Sequence, residues 1–90
     1  MTTNEFNRKY EKYLTQGHYG LDIEYISILQ YLDKIFVDLV KIPGFEYQQI
    51  KLKFNSARFY SNLSQVFPNF GFIIERKIEE EINRLVSIED

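Results

Sequence analysis

The 90-residue chain contains no cysteine, no tryptophan, only two prolines and a single histidine, His18. Without cysteine there is neither a disulfide framework nor a thiolate zinc site, and a reducing compartment is permitted. A catalytic triad or a transition-metal site would have to be built around His18, which lies between two glycines in what reads as an exposed loop. The four glycines, at positions 17, 20, 44 and 71, are too scattered to form a phosphate-binding loop. We therefore expect no catalysis, no metal and no cofactor.

Long apolar runs are also missing. No stretch approaches the roughly 18 residues that a membrane span requires. The first residues, Met-Thr-Thr-Asn-Glu-Phe, lack the basic and apolar regions of a signal peptide. The net charge of −2 argues against a general nucleic-acid binder. These features predict a cytoplasmic protein that contacts neither membrane nor nucleic acid.

The chain is rich in aromatic residues, with eight phenylalanines and seven tyrosines. A hydrophobic content of 44% is enough for folding, and the length suits a single domain, residues 1–90, with one core. So small a core cannot hold every tyrosine, and several must reach the surface with their hydroxyl groups.

Helical patterns flank the middle of the chain. A first helix is predicted over residues 2–16, because Thr2 and Glu5 have the spacing of a capping box. After a loop at residues 17–20, Asp22 is expected to cap a second helix that ends before Pro43. A third helix is predicted over residues 72–88, after a connection at residues 64–71. Apolar residues recur every three or four positions along the second and third of these helices.

Apolar and cationic residues alternate in the middle of the chain, over Ile50, Lys51, Leu52, Lys53 and Phe54. This period of two is typical of a half-buried strand. Asn55-Ser56 interrupts the pattern and is predicted to be the turn of a β-hairpin over residues 46–54 and 57–62. The face predicted to join the core consists of Ile50, Leu52, Phe54 and Phe59. The fold class is therefore α+β: two helices, a hairpin and a C-terminal helix.

An all-α four-helix bundle is the alternative. In that interpretation Leu52, Phe59, Leu63 and Val66 form a helical stripe that ends before Pro68. It places Asn55-Ser56 inside a helix, where both side chains compete with the backbone for hydrogen bonds. The hairpin is the better fit to the pattern.

Residues 49–60, Gln-Ile-Lys-Leu-Lys-Phe-Asn-Ser-Ala-Arg-Phe-Tyr, resemble a family of small uncharacterised bacterial and phage proteins. The core motif of that family reads Val-Lys-x-Lys-Phe-Gly-x-Leu-Arg-Phe-Tyr. Asn55 stands where the family has glycine, and the cysteine-containing ending of many members is absent here. The resemblance implies an α-β-β-α order and supplies no function.

The cationic side of the hairpin is the main candidate site. With a turn at Asn55-Ser56, Lys53 would face Arg58 and Lys51 would face Tyr60 across the strands. Tyr47 and Tyr60 would add exposed aromatic rings near the strand edges. This patch is a contact surface for an acidic partner or a phosphate backbone, the solvated back of a half-buried sheet, or a face paired with glutamates of the last helix. Between the two partners, the charge balance of the chain favours the acidic protein.

Three further features admit two interpretations each. The hairpin edges are templates for strand addition by a partner or a second copy, unless other elements cover them. Glu75 and Glu79 share a helix face and form either an acidic catalytic or magnesium site or, as we prefer, a solvated face with local ion pairs. Phe67, Phe70 and Phe72 are either exposed beside the hairpin or, as we prefer, close the bottom of the core.

The function expected from these residues is that of a non-catalytic protein-binding module. A small inhibitor, an immunity protein or an anti-defence protein that docks on a macromolecule fits the size and charge. The bacterial or phage setting comes from the resemblance alone. The alternative is a small-ligand or nucleotide binder that acts at an oligomer interface, for which a homodimer is the simplest form.

Overall fold

The computed structural model describes residues 1–89. Helices, named α1 to α4, and strands, named β1 to β3, follow each other in the order α1 (Thr3–Lys9), β1 (Gly20–Asp22), α2 (Ile26–Leu39), β2 (Tyr47–Lys53), β3 (Ser56–Ser61), α3 (Leu63–Val66) and α4 (Gly71–Glu89). The strands form one sheet in the order β1-β2-β3. The α+β prediction is confirmed, and the all-α alternative is wrong.

The N-terminal helix is shorter than predicted. The capping box is present: Glu5 N–H donates to Thr2 Oγ1, and Thr2 N–H donates to the Glu5 carboxylate. The helix nevertheless ends at Lys9, and a single 3₁₀ turn follows at Glu11–Tyr13. The backbone N–H of Thr15 then donates to the carbonyl of Tyr47, so the chain there is extended beside β2.

Strand β1 was not predicted. It pairs with β2 in parallel, and its Leu21 lies opposite Ile50. Asp22 belongs to this strand and does not cap α2, whose N-cap is Tyr25. A parallel pair needs a crossover between its strands. Here α2 is that crossover, and it packs onto one face of the sheet.

The core lies between the helices and one face of the sheet. At its centre the ring of Phe36 has five aromatic neighbours with centroid distances of 4.9–6.3 Å: Phe6, Tyr10, Phe45, Tyr47 and Phe59. The periodic apolar residues of α2 and α4 are buried against Ile50 and Phe59, as the sequence predicted: Ile28, Leu29, Leu32, Phe36, Leu39, Ile78, Ile82 and Val86.

The hairpin turns one residue earlier than predicted. Lys53 pairs with Ser56, so the two turn residues are Phe54 and Asn55. Their φ angles are +54° and +60°, and positive φ at both central positions is the mark of a type I′ turn. Phe54 was predicted to be a core residue, but it lies at the tip with 93% of its surface exposed.

The connection between β3 and α4 contains the short helix α3. It packs against the start of α4 at Gly71, where a β-carbon would lie 2.0 Å from the carbonyl oxygen of Leu63. Only glycine permits this contact. Helix α4 therefore begins at Gly71, one residue before the predicted start, and runs beside β3.

Candidate functional site

One face of the sheet carries polar side chains and is not part of the core. We call it the open face and define it by the residues that alternate with the buried ones: Asp22, Gln49, Lys51, Lys53, Ser56, Arg58 and Tyr60. Lys53 and Asp22 are exposed, and Lys51 and Arg58 are half-buried. Three of the predicted site cations therefore share one surface.

The pairing of these cations differs from the prediction. Lys51 lies opposite Arg58, Lys53 lies opposite Ser56, and Gln49 lies opposite Tyr60. Moving the turn from residues 55–56 to residues 54–55 shifts every cross-strand pair by two positions. Because side chains alternate with a period of two, this shift changes the partners and leaves each side chain on its predicted face.

The open face carries three cations and one carboxylate, Asp22, which lies in register beside Lys51. Within residues 1–89 the recorded ion pairs are Lys9–Asp33, Lys41–Asp38 and Arg84–Glu81, which all lie elsewhere. Arg58 Nη1 donates to Ser56 Oγ at 3.0 Å and to the carbonyl of Ala57 at 3.1 Å, both neutral acceptors. Pairing with glutamates of the last helix, one of the alternatives that the sequence left open for this face, is therefore not found within residues 1–89. The like charges of Lys51 and Arg58, directly opposite each other, mildly oppose the hairpin.

The two tyrosines of the predicted site have different positions. Tyr60 lies on the open face with 44% of its surface exposed. Tyr47 is completely buried, and its hydroxyl donates to Asn7 Oδ1 at 3.3 Å. Burial raises the pKa of Tyr47 to about 12. Tyr47 was predicted to contact a partner, and that prediction is wrong, because its ring faces Phe36 in the core.

The outer edge of β3 is covered by α4. The Ala57 N–H donates to Asn83 Oδ1 at 2.6 Å, and the Phe59 N–H donates to Glu79 Oε2 at 2.9 Å. Farther along the strand, Ser61 Oγ donates to Glu75 Oε2 at 2.6 Å. These side chains occupy the hydrogen-bonding positions that an added strand would need.

The outer edge of β1 is covered in the same way by α1. Asn7 Oδ1 accepts from the Leu21 N–H at 2.8 Å, and Asn7 Nδ2 donates to the Leu21 carbonyl at 2.9 Å. Thr3 Oγ1 donates to the Ile23 carbonyl at 2.6 Å. Gly20 makes this contact possible, because a β-carbon there would lie 2.5 Å from Asn7 Oδ1. Strand addition at either edge, one of the predicted docking modes, would therefore require a helix to move.

The glutamates of α4 have a structural role that neither interpretation of the sequence gave. Glu75 and Glu79 are half-buried and hydrogen-bonded to β3, so they are neither a solvated face nor a pair of free acids. Burial raises the pKa of Glu75, although the hydrogen bond from Ser61 opposes that shift. The sequence signal was the repeat in which a polar residue follows each core isoleucine: Ile74-Glu75, Ile78-Glu79 and Ile82-Asn83.

A groove runs between β3 and α4 beside the open face. Its volume is about 310 Å³, and Tyr60 and Phe72 line its two sides. Arg76 lies over the ring of Phe72 at 5.2 Å, and Glu75 and Glu79 are also in the lining. Carboxylates in the lining disfavour anionic ligands such as nucleotide phosphates.

The three phenylalanines near the start of α4 do not close the core. Phe67, Phe70 and Phe72 are exposed by 41%, 54% and 60%. The rings of Phe67 and Phe70 contact each other with centroids 5.4 Å apart. The preferred interpretation of these residues is thus wrong: Phe67 and Phe70 form an exposed aromatic pair, and Phe72 lines the groove.

No metal site is found in the part of the chain that the structure describes. Within residues 1–89 no group of three or more histidine, aspartate or glutamate side chains is placed to hold a metal ion. His18 is exposed in the loop before β1, as predicted. None of the described helices is long and apolar enough to cross a lipid bilayer.

Comparisons of the chain with protein-family models, with curated proteins and with solved structures found no match.

Proposed function

We propose that this protein is a non-catalytic binding module that docks on an acidic surface of a protein partner through its open face. The observation that carries the proposal is the cluster of Lys51, Lys53 and Arg58 on one face, none of which forms an ion pair in the described part of the chain. Like charges directly opposite each other on neighbouring strands oppose folding. The presence of Lys51 opposite Arg58 is best explained by binding to a partner of opposite charge.

An acidic protein fits this surface better than a nucleic acid does. Nucleic-acid binders are usually basic overall, whereas this chain has a net charge of −2 and its cations form only a small patch. A small inhibitor, an immunity protein or an anti-defence protein of a bacterium or phage is the form of this function that we favour. The resemblance at residues 49–60 is the only support for that setting.

A nucleotide-binding function at an oligomer interface has less support. The groove beside the open face contains Glu75 and Glu79 as well as Arg76, and its two carboxylates disfavour phosphate. Both sheet edges, the natural route to an oligomer, are occupied by helix side chains.

Charge reversal tests the docking surface. The triple variant Lys51→Glu, Lys53→Glu and Arg58→Glu should retain the fold and weaken binding by about 100-fold or more, because like charges then face an acidic partner. The partner is first captured on the wild-type protein, identified and purified, and its Kd is then measured by calorimetry. The affinity of the partner for the wild-type protein should fall as the NaCl concentration is raised.

A matched control places the same charge change elsewhere. The variant Lys12→Glu, Lys34→Glu and Lys77→Glu replaces three exposed cations outside the open face with three carboxylates. Its Kd should remain within about 3-fold of wild type, apart from a small long-range effect. Equal loss in both variants, or unchanged affinity in the open-face variant, contradicts the proposal and moves the contact to another surface.

A further inference from the structure

The residue at the tip of the hairpin combines two features that are unfavourable in the free protein. Phe54 has a φ of +54°, a backbone conformation that bulky side chains rarely adopt. Its ring is also 93% exposed, the largest exposed fraction of any large apolar side chain in residues 1–89. The ring thus contributes little packing that would compensate for the strain.

Stability alone would select a different residue at this position. Type I′ turns favour asparagine, aspartate or glycine at both central positions, and Asn55 follows that preference at the second one. Strained residues of this kind are found where the conformation serves a binding or catalytic purpose. The alternation of the hairpin does not need an apolar residue at the tip, because the strand pattern ends at Lys53.

The surroundings of the ring indicate what it meets. Lys53 precedes it directly, and the Lys51–Arg58 pair lies two residues, or about 7 Å, behind the Lys53–Ser56 pair that closes the turn. The tip is therefore an apolar group with cations at its base. The complementary surface is an apolar pocket with carboxylates around its opening.

We propose that Phe54 is the anchor of the docking surface and inserts its ring into an apolar pocket, rimmed by carboxylates, on the protein partner. This inference rests on the proposed function and assigns its central contact. Binding energy at protein interfaces is concentrated in a few residues, and aromatic side chains that fill pockets are prominent among them. The type I′ turn fixes the backbone that carries the ring before the partner arrives, which lowers the backbone part of the entropy cost of binding.

A lipid surface is the other environment that accepts a ring beside cations. Sequence segments that bind anionic lipid usually contain clusters of about 4–8 lysines and arginines. Here three cations accompany the ring, and Asp22 lies beside Lys51 on the same face. A protein pocket is therefore favoured, and the membrane is an outcome that the experiment must separate.

The experiment compares two changes that share the loss of the ring and differ in backbone strain. Phe54→Gly removes both ring and strain, whereas Phe54→Ala removes the ring and keeps a β-carbon at positive φ. Both should weaken the Kd for the purified partner by about 30-fold or more, as expected for an aromatic hot spot. The midpoint of thermal unfolding should be higher for Phe54→Gly than for Phe54→Ala.

Phe70→Ala is the matched control, since it removes a phenylalanine outside the hairpin that is 54% exposed. Its Kd should stay within about 2-fold of wild type, as surface contacts outside a hot spot usually do. In parallel, wild type and Phe54→Gly are titrated with vesicles of 70:30 phosphatidylcholine and phosphatidylserine. No binding that depends on Phe54 is expected.

The outcomes separate this inference from the proposed function. If both Phe54 variants bind like wild type while the open-face charge reversal abolishes binding, the assignment of Phe54 as the anchor is wrong. The proposal that the open face is the docking surface is then retained. If neither set of changes affects the Kd, both are wrong. If Phe54-dependent binding is found for the vesicles and not for a protein, the occupant is lipid and the proposal of a protein pocket is overturned.

Discussion

At the scale of single residues, Asn7 and Asn83 satisfy backbone groups of edge strands. The amide of Asn7 provides both a donor and an acceptor, so it pairs with Leu21 as a neighbouring strand would. Asn83 uses only its oxygen, which accepts from the Ala57 N–H. Buried backbone groups without a partner are costly, so these two side chains contribute to stability beyond their size.

Glu75 makes the stability of the fold depend on pH. Its pKa is raised above the ordinary 4.5 by burial, so the folded state holds the proton more tightly than the unfolded chain does. The stability that this carboxyl contributes is present below about pH 4.5 and is lost as the pH rises through the folded pKa.

Glu75→Gln is therefore expected to be more stable than wild type at about pH 7, with the difference vanishing near pH 4. The amide oxygen can still accept the hydrogen bond from Ser61. Urea unfolding at a series of pH values measures the effect. Glu80→Gln, an exposed carboxylate of the same helix, should not reproduce it, and a destabilised Glu75→Gln at neutral pH would contradict the sign.

Single residues were also where prediction from sequence was least accurate. The side of the sheet on which Lys51, Lys53 and Arg58 lie was predicted correctly, because alternation assigns each residue of a strand to one side. The position of the turn was predicted wrongly, because Asn55 suits either of the two central positions of a turn. Local preference also gives no reason to expect a phenylalanine at positive φ. Tyr47 was misplaced because alternation with Gln49 and Lys51 would put it on the open face, whereas a register irregularity between Tyr47 and Gln49 directs it into the core.

At the scale of elements, the match between α4 and β3 is geometric. Four residues of a helix rise about 6.0 Å, and two residues of a strand span about 6.8 Å. Positions 75, 79 and 83 of the helix can therefore meet positions 61, 59 and 57 of the strand in succession. Positions 3 and 7 of α1 meet positions 23 and 21 by the same rule.

Asn83→Ala should destabilise the protein by about 1–3 kcal/mol, because the Ala57 N–H loses its acceptor beside the core. Denaturant unfolding followed by circular dichroism gives the value. Asn83→Asp keeps an oxygen in place and is expected to remain much closer to wild type. If both substitutions cost the same, the hydrogen bond is not the cause.

The sequence predicted the elements whose stabilising contacts are local or periodic. Helices α2 and α4 were predicted from their apolar stripes, and the hairpin from its alternation. Strand β1 was not predicted, because three residues are too few to show a period. Its partner strand is also distant in the chain: Gly20 pairs with Gln49, 29 residues later. Polar contacts between a helix and a strand edge cannot be read from either segment alone.

At the scale of the whole molecule, the sheet has one face in the core, one open face and two covered edges. A sheet with covered edges is protected against pairing with another copy. We therefore expect the isolated protein to be a monomer of 10.9 kDa. The homodimer that the sequence left open would have to form through a surface other than an edge.

The double variant Glu79→Ala and Asn83→Ala should open the edge of β3 and cause association that increases with concentration. Light scattering coupled to size-exclusion chromatography measures the mass across a dilution series. Glu80→Ala with Arg84→Ala changes exposed residues of the same helix and should leave a monomer. A double edge variant that stays monomeric and folded would show that α4 covers the edge without these side chains.

The dependence of β3 on α4 also has a consequence for biosynthesis. Helix α4 follows the hairpin in the chain, so the ribosome releases the strand before it releases the residues that cover its edge. During that interval the backbone amides of Ala57 and Phe59 have only water or a neighbouring nascent chain as acceptors. A polysome holds many nascent copies of this chain close together with the edge of β3 uncovered, and docking of α4 removes that edge from contact with its neighbours.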